Sequence, residues 1–268
     1  MTRDEIIESA VEFTRNSTIN YISKEAAIKP EYAGVKIFDD PIFAFGSADD
    51  EIYESFKSDD IISNQFLTPA EWLPEAKTVI SFFLPYTEQV RVSNAKDYEW
   101  PSDKWLHGRI EGQIFVKELS IYLEKTLSAA GYKSLAPSAD ERFKTAMPAA
   151  FTSNWSERHA AFACGLGTFG LSKGIITKKG TAGRIGSVIT ELNLQKDDRP
   201  YTEIYEYCTM CGKCAKHCPV HAISLEKGKI HKPCSDFLDE VLKKDKLRYG
   251  CGKCQVNVPC ESGIPKTP

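Results

Sequence analysis

Apolar residues recur at helical spacing in two stretches of the first half of the chain. The first stretch, Asp4 to Arg15, follows Thr2, a residue suited to cap a helix. The second stretch, Leu106 to Ala130, keeps the same period for longer, and Gly131 supplies its end. The sequence therefore predicts two helices that each bury one face.

Shorter apolar runs alternate with these helices and predict strands. They span residues 35–38, 42–45, 77–84 and 185–194, and the run at 77–84 is apolar enough to be buried on both faces. A further helix is predicted to begin at Ser156 and to end at the glycines that follow Cys164. This alternation predicts an α/β (α+β) fold in which a sheet-and-helix domain comes first.

The cysteines divide the chain into two unequal parts. Of nine cysteines in 268 residues, eight lie between Cys208 and Cys260, and only Cys164 lies outside that region. The polar segment Asp197-Asp198-Arg199-Pro200 separates the two parts. We therefore predict a first domain at residues 1–200 and a second domain at residues 201–268.

Charge and the N-terminal sequence narrow the setting in which the chain works. With 34 Lys and Arg against 37 Asp and Glu, the formal net charge is −3, so composition gives no sign of a nucleic-acid partner. The N-terminus has no basic and apolar signal region, and no run approaches the roughly 20 apolar residues needed to span a bilayer. We expect a cytoplasmic protein without membrane contact, where clustered cysteines hold metal more often than disulfides.

The spacing of the first four clustered cysteines is typical of iron–sulfur proteins. Cys208, Cys211, Cys214 and Cys218-Pro219 follow the pattern C-x2-C-x2-C-x3-C-P of bacterial ferredoxins, in which three thiolates hold one cluster and the fourth holds another. Four further cysteines complete the two sets of four. The predicted ligands are Cys208, Cys211, Cys214 and Cys260 for one [4Fe-4S] cluster and Cys218, Cys234, Cys251 and Cys254 for the other. Two zinc sites of four cysteines each are the alternative.

Several motifs occur in an order that resembles a known group of proteins. In sequence they are Pro85-Tyr86, Glu157-Arg158, Gly165-Leu166-Gly167-Thr168-Phe169-Gly170, Gly186-Ser187, the first cysteine run, Cys234, and Gly250 to Gln255. Over roughly residues 70 to 260 this order resembles the epoxyqueuosine reductases and the reductive dehalogenases. The resemblance implies a nitroreductase-like α/β domain that binds cobalamin, followed by a two-cluster ferredoxin-like domain.

The resemblance also implies residues that contact the corrinoid. The glycine-rich stretch contributes Gly165, Gly167, Gly170, Ser172 and Lys173 to the face of the cofactor, while Lys173, Arg184 and Ser187 serve its phosphate and amide groups. Because this stretch follows a helix and not a strand, a dinucleotide-binding turn fits it poorly. Ordinary loop positions are the other interpretation of each of these residues.

Two acidic motifs of the epoxyqueuosine reductases have no counterpart here. The aspartate that precedes their Glu-Arg pair is missing from residues 150–154, and residues 105–111 do not match their Asp-Tyr-His motif. Candidate replacement acids are Asp140, His107 and His159. The other interpretation is a solvated loop acid for Asp140 and a structural role for each histidine. The helical-repeat extension that helps those reductases to engage tRNA is not present before Pro268, so a tRNA substrate is not expected.

Together these features predict an iron–sulfur oxidoreductase. Two [4Fe-4S] clusters would pass single electrons from an external donor, such as ferredoxin or flavodoxin, to a corrinoid that reduces a small organic substrate. Two alternatives are open at this point. In the first alternative, the chain is an electron-transfer or reactivating partner that holds clusters only. In the second, it is an FMN-dependent reductase, since nitroreductase-like folds also suit flavin.

Overall fold

A computed structural model describes residues 1–145, 151–244 and 248–266. Ala150, the first residue of the segment in which an aspartate was sought, lies outside these ranges. The helices are α1 (Arg3–Asn16), α2 (Ile52–Ser55), α3 (Pro69–Trp72), α4 (Glu88–Asn94), α5 (Asp103–Ala129), α6 (Glu157–Ala163), α7 (Lys213–Lys216) and α8 (His231–Lys244), with 3-10 helices at Thr18–Asn20, Pro30–Tyr32, Pro137–Ala139 and Lys253–Gln255. The strands are β1 (Ile42–Ser47), β2 (Thr78–Pro85), β3 (Ser134–Leu135), β4 (Gly167–Phe169), β5 (Ile175–Thr177), β6 (Gly183–Thr190), β7 (Ile223–Ser224) and β8 (Gly228–Lys229).

The central sheet is antiparallel, with strand order β1-β2-β6-β3. In the middle of it, Ile80 of β2 pairs with Phe45 of β1 on one side and with Val188 of β6 on the other. Every residue of β2 is buried, as its uninterrupted apolar run predicts. The predicted mixed α/β class is confirmed. One small hairpin, β4-β5, precedes the cysteine-rich region, and another, β7-β8, lies within it.

Alternate residues of β2 face two different hydrophobic clusters. Ile80, Phe82 and Leu84 lie in the cluster beneath α1 and α5, whereas Val79 and Phe83 lie in the cluster on the α6 side. Burial on both faces makes β2 a rigid centre for the domain. On the side of the second hydrophobic cluster, α6 packs against β2 and β6.

The sequence predicts the helix termini closely and the ends of the strands less well. Thr2 caps α1 in a reciprocal arrangement: its hydroxyl accepts from the Glu5 amide at 3.3 Å, and the Glu5 carboxylate accepts from the Thr2 amide at 2.7 Å. The predicted strand at 35–38 is wrong, because only Lys36 and Phe38 make isolated bridges. The strand predicted at 185–194 begins two residues earlier and ends at Thr190.

The last part of the chain returns to the surface of α4 and α5. Arg248 binds both carboxylate oxygens of Glu111 at 2.6 Å, and Arg91 pairs with Glu261 at 2.6 Å. These contacts fix the second cysteine-rich loop against the sheet-and-helix core. None of the helices within the described ranges is both long and apolar enough to cross a membrane.

Candidate iron–sulfur and cofactor site

The structure gathers eight cysteines around two cavities. One cavity is lined by Cys208, Cys211, Cys214 and Cys260. The other, of about 170 Å³, is lined by Cys218, Cys234, Cys251 and Cys254. These are the same two groups of four that the spacing predicts. In the described ranges, no three His, Cys, Asp or Glu side chains converge closely enough to enclose a single metal ion.

The same tetrapeptide shapes both cavities. Cys-Gly-Lys-Cys occurs at residues 211–214 and again at 251–254, and both glycines adopt a left-handed conformation, with φ of +71° at Gly212 and +67° at Gly252. A residue with a β-carbon is disfavoured there. At Gly252 the carbon would also lie 1.9 Å from ring atoms of Trp105 on α5. Glycine therefore allows the second loop to lie flat against that helix.

The lysines of the two loops differ in burial. Lys253 is only 1% exposed, and its ammonium group donates to the carbonyl oxygens of Asn94 at 2.8 Å and Asp97 at 2.6 Å. Its counterpart Lys213 is exposed. The buried lysine ties the second loop to the end of α4, and its charge lies within the segment that carries two cysteines.

The chemistry of the cysteines suits iron–sulfur clusters. Burial, followed by the influence of neighbouring cysteines, raises the pKa of Cys214 and of Cys260 to about 12. Burial likewise raises the pKa of Cys251 to about 12. Thiolates grouped in such surroundings need positive charge beside them, and the irons of a cluster supply it. Soft sulfur donors in apolar cavities therefore fit this cofactor.

A larger cavity of about 600 Å³ adjoins the second cysteine group. Its wall includes Glu157 and Arg158 from the start of α6, Arg184 from β6, and Cys254. Cys254 thus lies between two cavities. A neighbouring cavity of about 410 Å³ shares Arg158 with this one, so the two together form a wide, divided space.

Positive charge dominates the lining of the large cavity. Its cationic side chains are Arg109, Arg158, Lys173, Arg184 and Lys229. Their partners are neutral: Arg109 donates to the Tyr249 hydroxyl at 2.6 Å, and Arg158 donates to the carbonyl of Lys173 at 2.8 Å. Arg184 donates to the Gln113 side chain. No carboxylate of the described residues pairs with any of the five, so the cavity favours an anionic ligand group.

Glu157 is the acid of this cavity, and serines surround its carboxyl group. The Ser187 hydroxyl donates to it at 2.6 Å, the Ser138 hydroxyl donates to its other oxygen, and the Trp155 indole donates to Ser187 at 3.0 Å. Burial raises the pKa of Glu157 to about 7, although the serine hydrogen bonds oppose the shift. This carboxyl group is therefore able to hold or release a proton near neutral pH.

The three acids expected from the sequence lie elsewhere. Asp140 pairs with Arg142 at 2.9 Å, which lowers its pKa and keeps it ionised. His107 is fully buried; its Nε2 accepts from the Ile28 amide at 3.1 Å, and its Nδ1 faces the Glu111 carboxylate at 3.0 Å. His159 lines only the smaller cavity, and burial followed by Arg158 lowers its pKa to about 3. None of them reaches the large cavity.

The residues expected to hold the cofactor divide into two groups. Ser172, Lys173 and Arg184 line the large cavity, and Ser187 reaches it through Glu157. Gly170 lines the first cysteine cavity, together with Ser172.

Gly165 and Gly167 do not face the large cavity, because close backbone packing occupies both positions. A β-carbon would lie 2.9 Å from the Asp198 carbonyl oxygen at Gly165 and 2.2 Å from that of Ile176 at Gly167. The glycine run thus turns the chain from α6 into the β4-β5 hairpin. Cys164 is buried beside β2, its sulfur 3.4 Å from the Val79 carbonyl oxygen.

The sequence identifies Glu157 only as part of the Glu157-Arg158 motif and does not predict its role as an acid. Its partners Ser138 and Ser187 stand 19 and 30 residues away in the sequence and lie on different elements. No short-range pattern brings the three together. The local feature that distinguishes Glu157 in the sequence is the adjacent Arg158, since the two charged residues begin the short helix α6.

Comparisons with known proteins agree with this geometry. Residues 201–224 match the family model of the 4Fe-4S binding domain. Tetrachloroethene reductive dehalogenases of Desulfitobacterium hafniense and Dehalobacter restrictus are 43% identical over 75 residues, which are 27% of this chain and 14% of theirs. The chain thus contains a 4Fe-4S binding domain and matches a small part of those relatives.

Solved structures show the same fold over most of the chain. An epoxyqueuosine reductase matches 98% of this chain and 67% of its own with a TM-score of 0.53 at 19% identity, and the one from Streptococcus thermophilus matches 85% and 64% with a TM-score of 0.52 at 19% identity. A catabolic reductive dehalogenase matches 98% and 37% with a TM-score of 0.55 at 15% identity. The fold is therefore that of these two groups of proteins.

The ligands in the similar structures differ in kind. One epoxyqueuosine reductase structure contains a tRNA stem loop. One dehalogenase structure contains 3-bromo-4-hydroxybenzoic acid, and another concerns B12-dependent dehalogenation. Similar structures thus contain ligands as different as a nucleic acid and a small aromatic acid.

Proposed function

We propose that this chain is an iron–sulfur oxidoreductase in which two [4Fe-4S] clusters pass single electrons to a corrinoid, which reduces a small organic substrate. The cysteine groups around the two cavities are the proposed cluster ligands. The observation that carries the proposal is the position of Cys254, whose side chain lies in the wall of both the second cysteine cavity and the large cationic cavity. A cluster held by Cys254 would lie next to a ligand bound beside Glu157.

The lining of the large cavity supports a corrinoid as the second cofactor. Its volume of about 600 Å³ lies within the usual range of ligand sites, and the adjoining cavity enlarges the space. Arg158 and Arg184 present guanidinium groups that suit a phosphate. A bound corrinoid supplies a cobalt centre that, once reduced, attacks or donates electrons to a C–O or C–halogen bond.

The chain's own residues supply binding and the proton. Replacing a C–O or C–halogen bond of the substrate by a C–H bond consumes two electrons and one proton and releases the leaving group as an anion. The electrons arrive one at a time through the clusters, and the proton comes from the Glu157 carboxyl group. Ser138 and Ser187 then stabilise the carboxylate that remains, and the unpaired cations attract the leaving anion.

The proposal extends to the layout and setting of the protein. Residues 1–200 form a nitroreductase-like domain that holds the corrinoid, and residues 201–268 form a ferredoxin-like domain. The electrons come from an external carrier protein, and the reducing cytoplasm keeps the cysteines available for iron. The cationic cavity suits a small anionic substrate. A nucleic acid is a less suitable partner, because the chain as a whole carries a net charge of −3.

Metal analysis with a blocked cavity tests this proposal. Protein purified without oxygen is incubated with hydroxocobalamin and desalted, after which iron, sulfide and cobalt are measured. We expect about eight irons and about one cobalt per chain. Ser156→Trp places a large ring in the wall of the cavity and should remove the cobalt but not the iron, whereas the exposed control Thr202→Trp should keep both.

Other results would assign another function. Eight irons without retained cobalt would contradict the corrinoid and leave a protein that only carries electrons. A flavin absorbance band that persists after the clusters are removed would select an FMN-dependent reductase. A low iron content would overturn the cluster assignment itself.

A further inference from the structure

One cysteine of the first group reaches the protein surface. Cys211 is exposed, whereas the other seven cysteines of the two groups are buried or partly buried. Apolar side chains flank it: Met210 is 39% exposed and Leu225 is 61% exposed. Leu225 lies next to Gly212, 3.9 Å from where a β-carbon would stand. An exposed apolar edge therefore surrounds the outermost sulfur.

Lysines surround this apolar edge. Lys213 and Lys216 project from α7, and Lys227 lies in the turn between β7 and β8. All three are exposed, and none forms an ion pair within the described ranges. Glu226 is the acid of the same turn. We call the surface formed by Met210, Cys211, Lys213, Lys216, Leu225 and Lys227 the entry face.

The second cysteine group adjoins both the first group and the large cavity. Its cavity is walled by Trp105 of α5 and Phe237 of α8, and Cys254 leads on to the cavity of Glu157. Cys214 of the first group lies near enough to Cys254 to influence the pKa of Cys214. Cys254 therefore connects the first group, which carries the entry face, with the large cavity.

From this arrangement we propose that the entry face docks an acidic one-electron carrier protein of the ferredoxin or flavodoxin class, which reduces the first cluster at Cys211. In each transfer the carrier loses one electron and the cluster gains one. Lysines steer an acidic partner, and the apolar edge excludes water where the two redox centres approach each other. A small face with few apolar residues suits a transient complex, as turnover requires. The inference rests on the proposed clusters but not on the corrinoid.

Charge reversal on the entry face tests the inference. The cluster-loaded protein is mixed without oxygen with a chemically reduced flavodoxin, and bleaching of the cluster absorbance gives the second-order rate constant. The variant Lys213→Glu, Lys216→Glu, Lys227→Glu should slow this step by about tenfold or more at low salt, and by much less at high salt. The control Lys24→Glu, Lys117→Glu, Lys125→Glu changes the net charge equally, at exposed lysines of the first domain.

Two further measurements make the outcome decisive. Excess dithionite should bleach both variants to the same final extent, which shows that the clusters are intact. Leu225→Ser should slow the reaction even at high salt, because the apolar contact does not depend on ionic strength. Equal rates for the entry-face and control variants would overturn the docking site, and this result would leave the cluster and corrinoid proposals standing.

Discussion

Replacing Glu157 by glutamine removes the acid that the described part of the chain places in the large cavity, while keeping the size of the side chain. The carboxyl group lies between the hydroxyls of Ser138 and Ser187, and burial raises its pKa from 4.5 to about 7. Glutamine keeps an oxygen to accept from the serines but carries no titratable proton. The Glu157→Gln variant therefore tests the role of the carboxyl proton while the packing of the side chain stays the same.

The size of the effect follows from the pKa shift. A rise from 4.5 to about 7 corresponds to roughly 3 kcal/mol of free energy that favours the protonated carboxyl group. Because the pKa is raised in the folded protein, this contribution to stability is complete below pH 4.5 and is lost as the pH rises through 7. Reduction that draws its proton from Glu157 should likewise slow above about pH 7.

Infrared difference spectroscopy measures this proton directly. The carbonyl stretch of a protonated carboxyl group should disappear from the wild-type spectrum with a midpoint near pH 7, and Glu157→Gln should lack that transition. Ser187→Ala removes a donor to the carboxylate and should move the midpoint to higher pH. Persistence of the same band in Glu157→Gln, or the absence of any carboxyl transition near neutrality, would refute the assignment.

Three further substitutions or treatments test the cysteine loops and the core. Gly252→Ala should lower the iron content from about eight to about four, because a β-carbon collides with Trp105, whereas Gly263→Ala, with open space around it, should keep all the iron. Lys253→Met should speed loss of iron to a chelator, since it removes hydrogen bonds of a buried ammonium that contribute about 1.5–3 kcal/mol each. Cys164 should resist alkylation by iodoacetamide in the folded protein, since burial raises its pKa to about 12.

Features that depend on local chemistry could be predicted from the sequence. The long helix α5 and the buried strand β2 follow from apolar periodicity, and the N-cap at Thr2 follows from the preference of a hydroxyl for the start of a helix. The two cysteine groups follow from spacing because thiolates separated by two intervening residues reach neighbouring corners of one cluster. The match of residues 201–224 to the 4Fe-4S binding domain confirms the first run.

Features that depend on distant residues could not be predicted. Glu157 becomes a proton-holding group only because Ser138 and Ser187 meet it across two other elements. His107 and His159 suggested an acid by residue type, but tertiary packing buried one and depressed the pKa of the other. Gly165 shows the same limit, since its close approach to the Asp198 carbonyl oxygen joins residues that no short-range pattern connects.

Because Cys254 lines both cavities, we propose that a corrinoid bound beside Glu157 would lie next to the cluster that Cys254 would hold. Electron paramagnetic resonance of the hydroxocobalamin-treated, partly reduced protein tests this claim most directly. We predict that the cobalt signal is broadened by magnetic coupling when the second cluster is reduced, and that Cys254→Ala abolishes the coupling. Cobalt and cluster signals that remain independent at every stage of reduction would contradict the account.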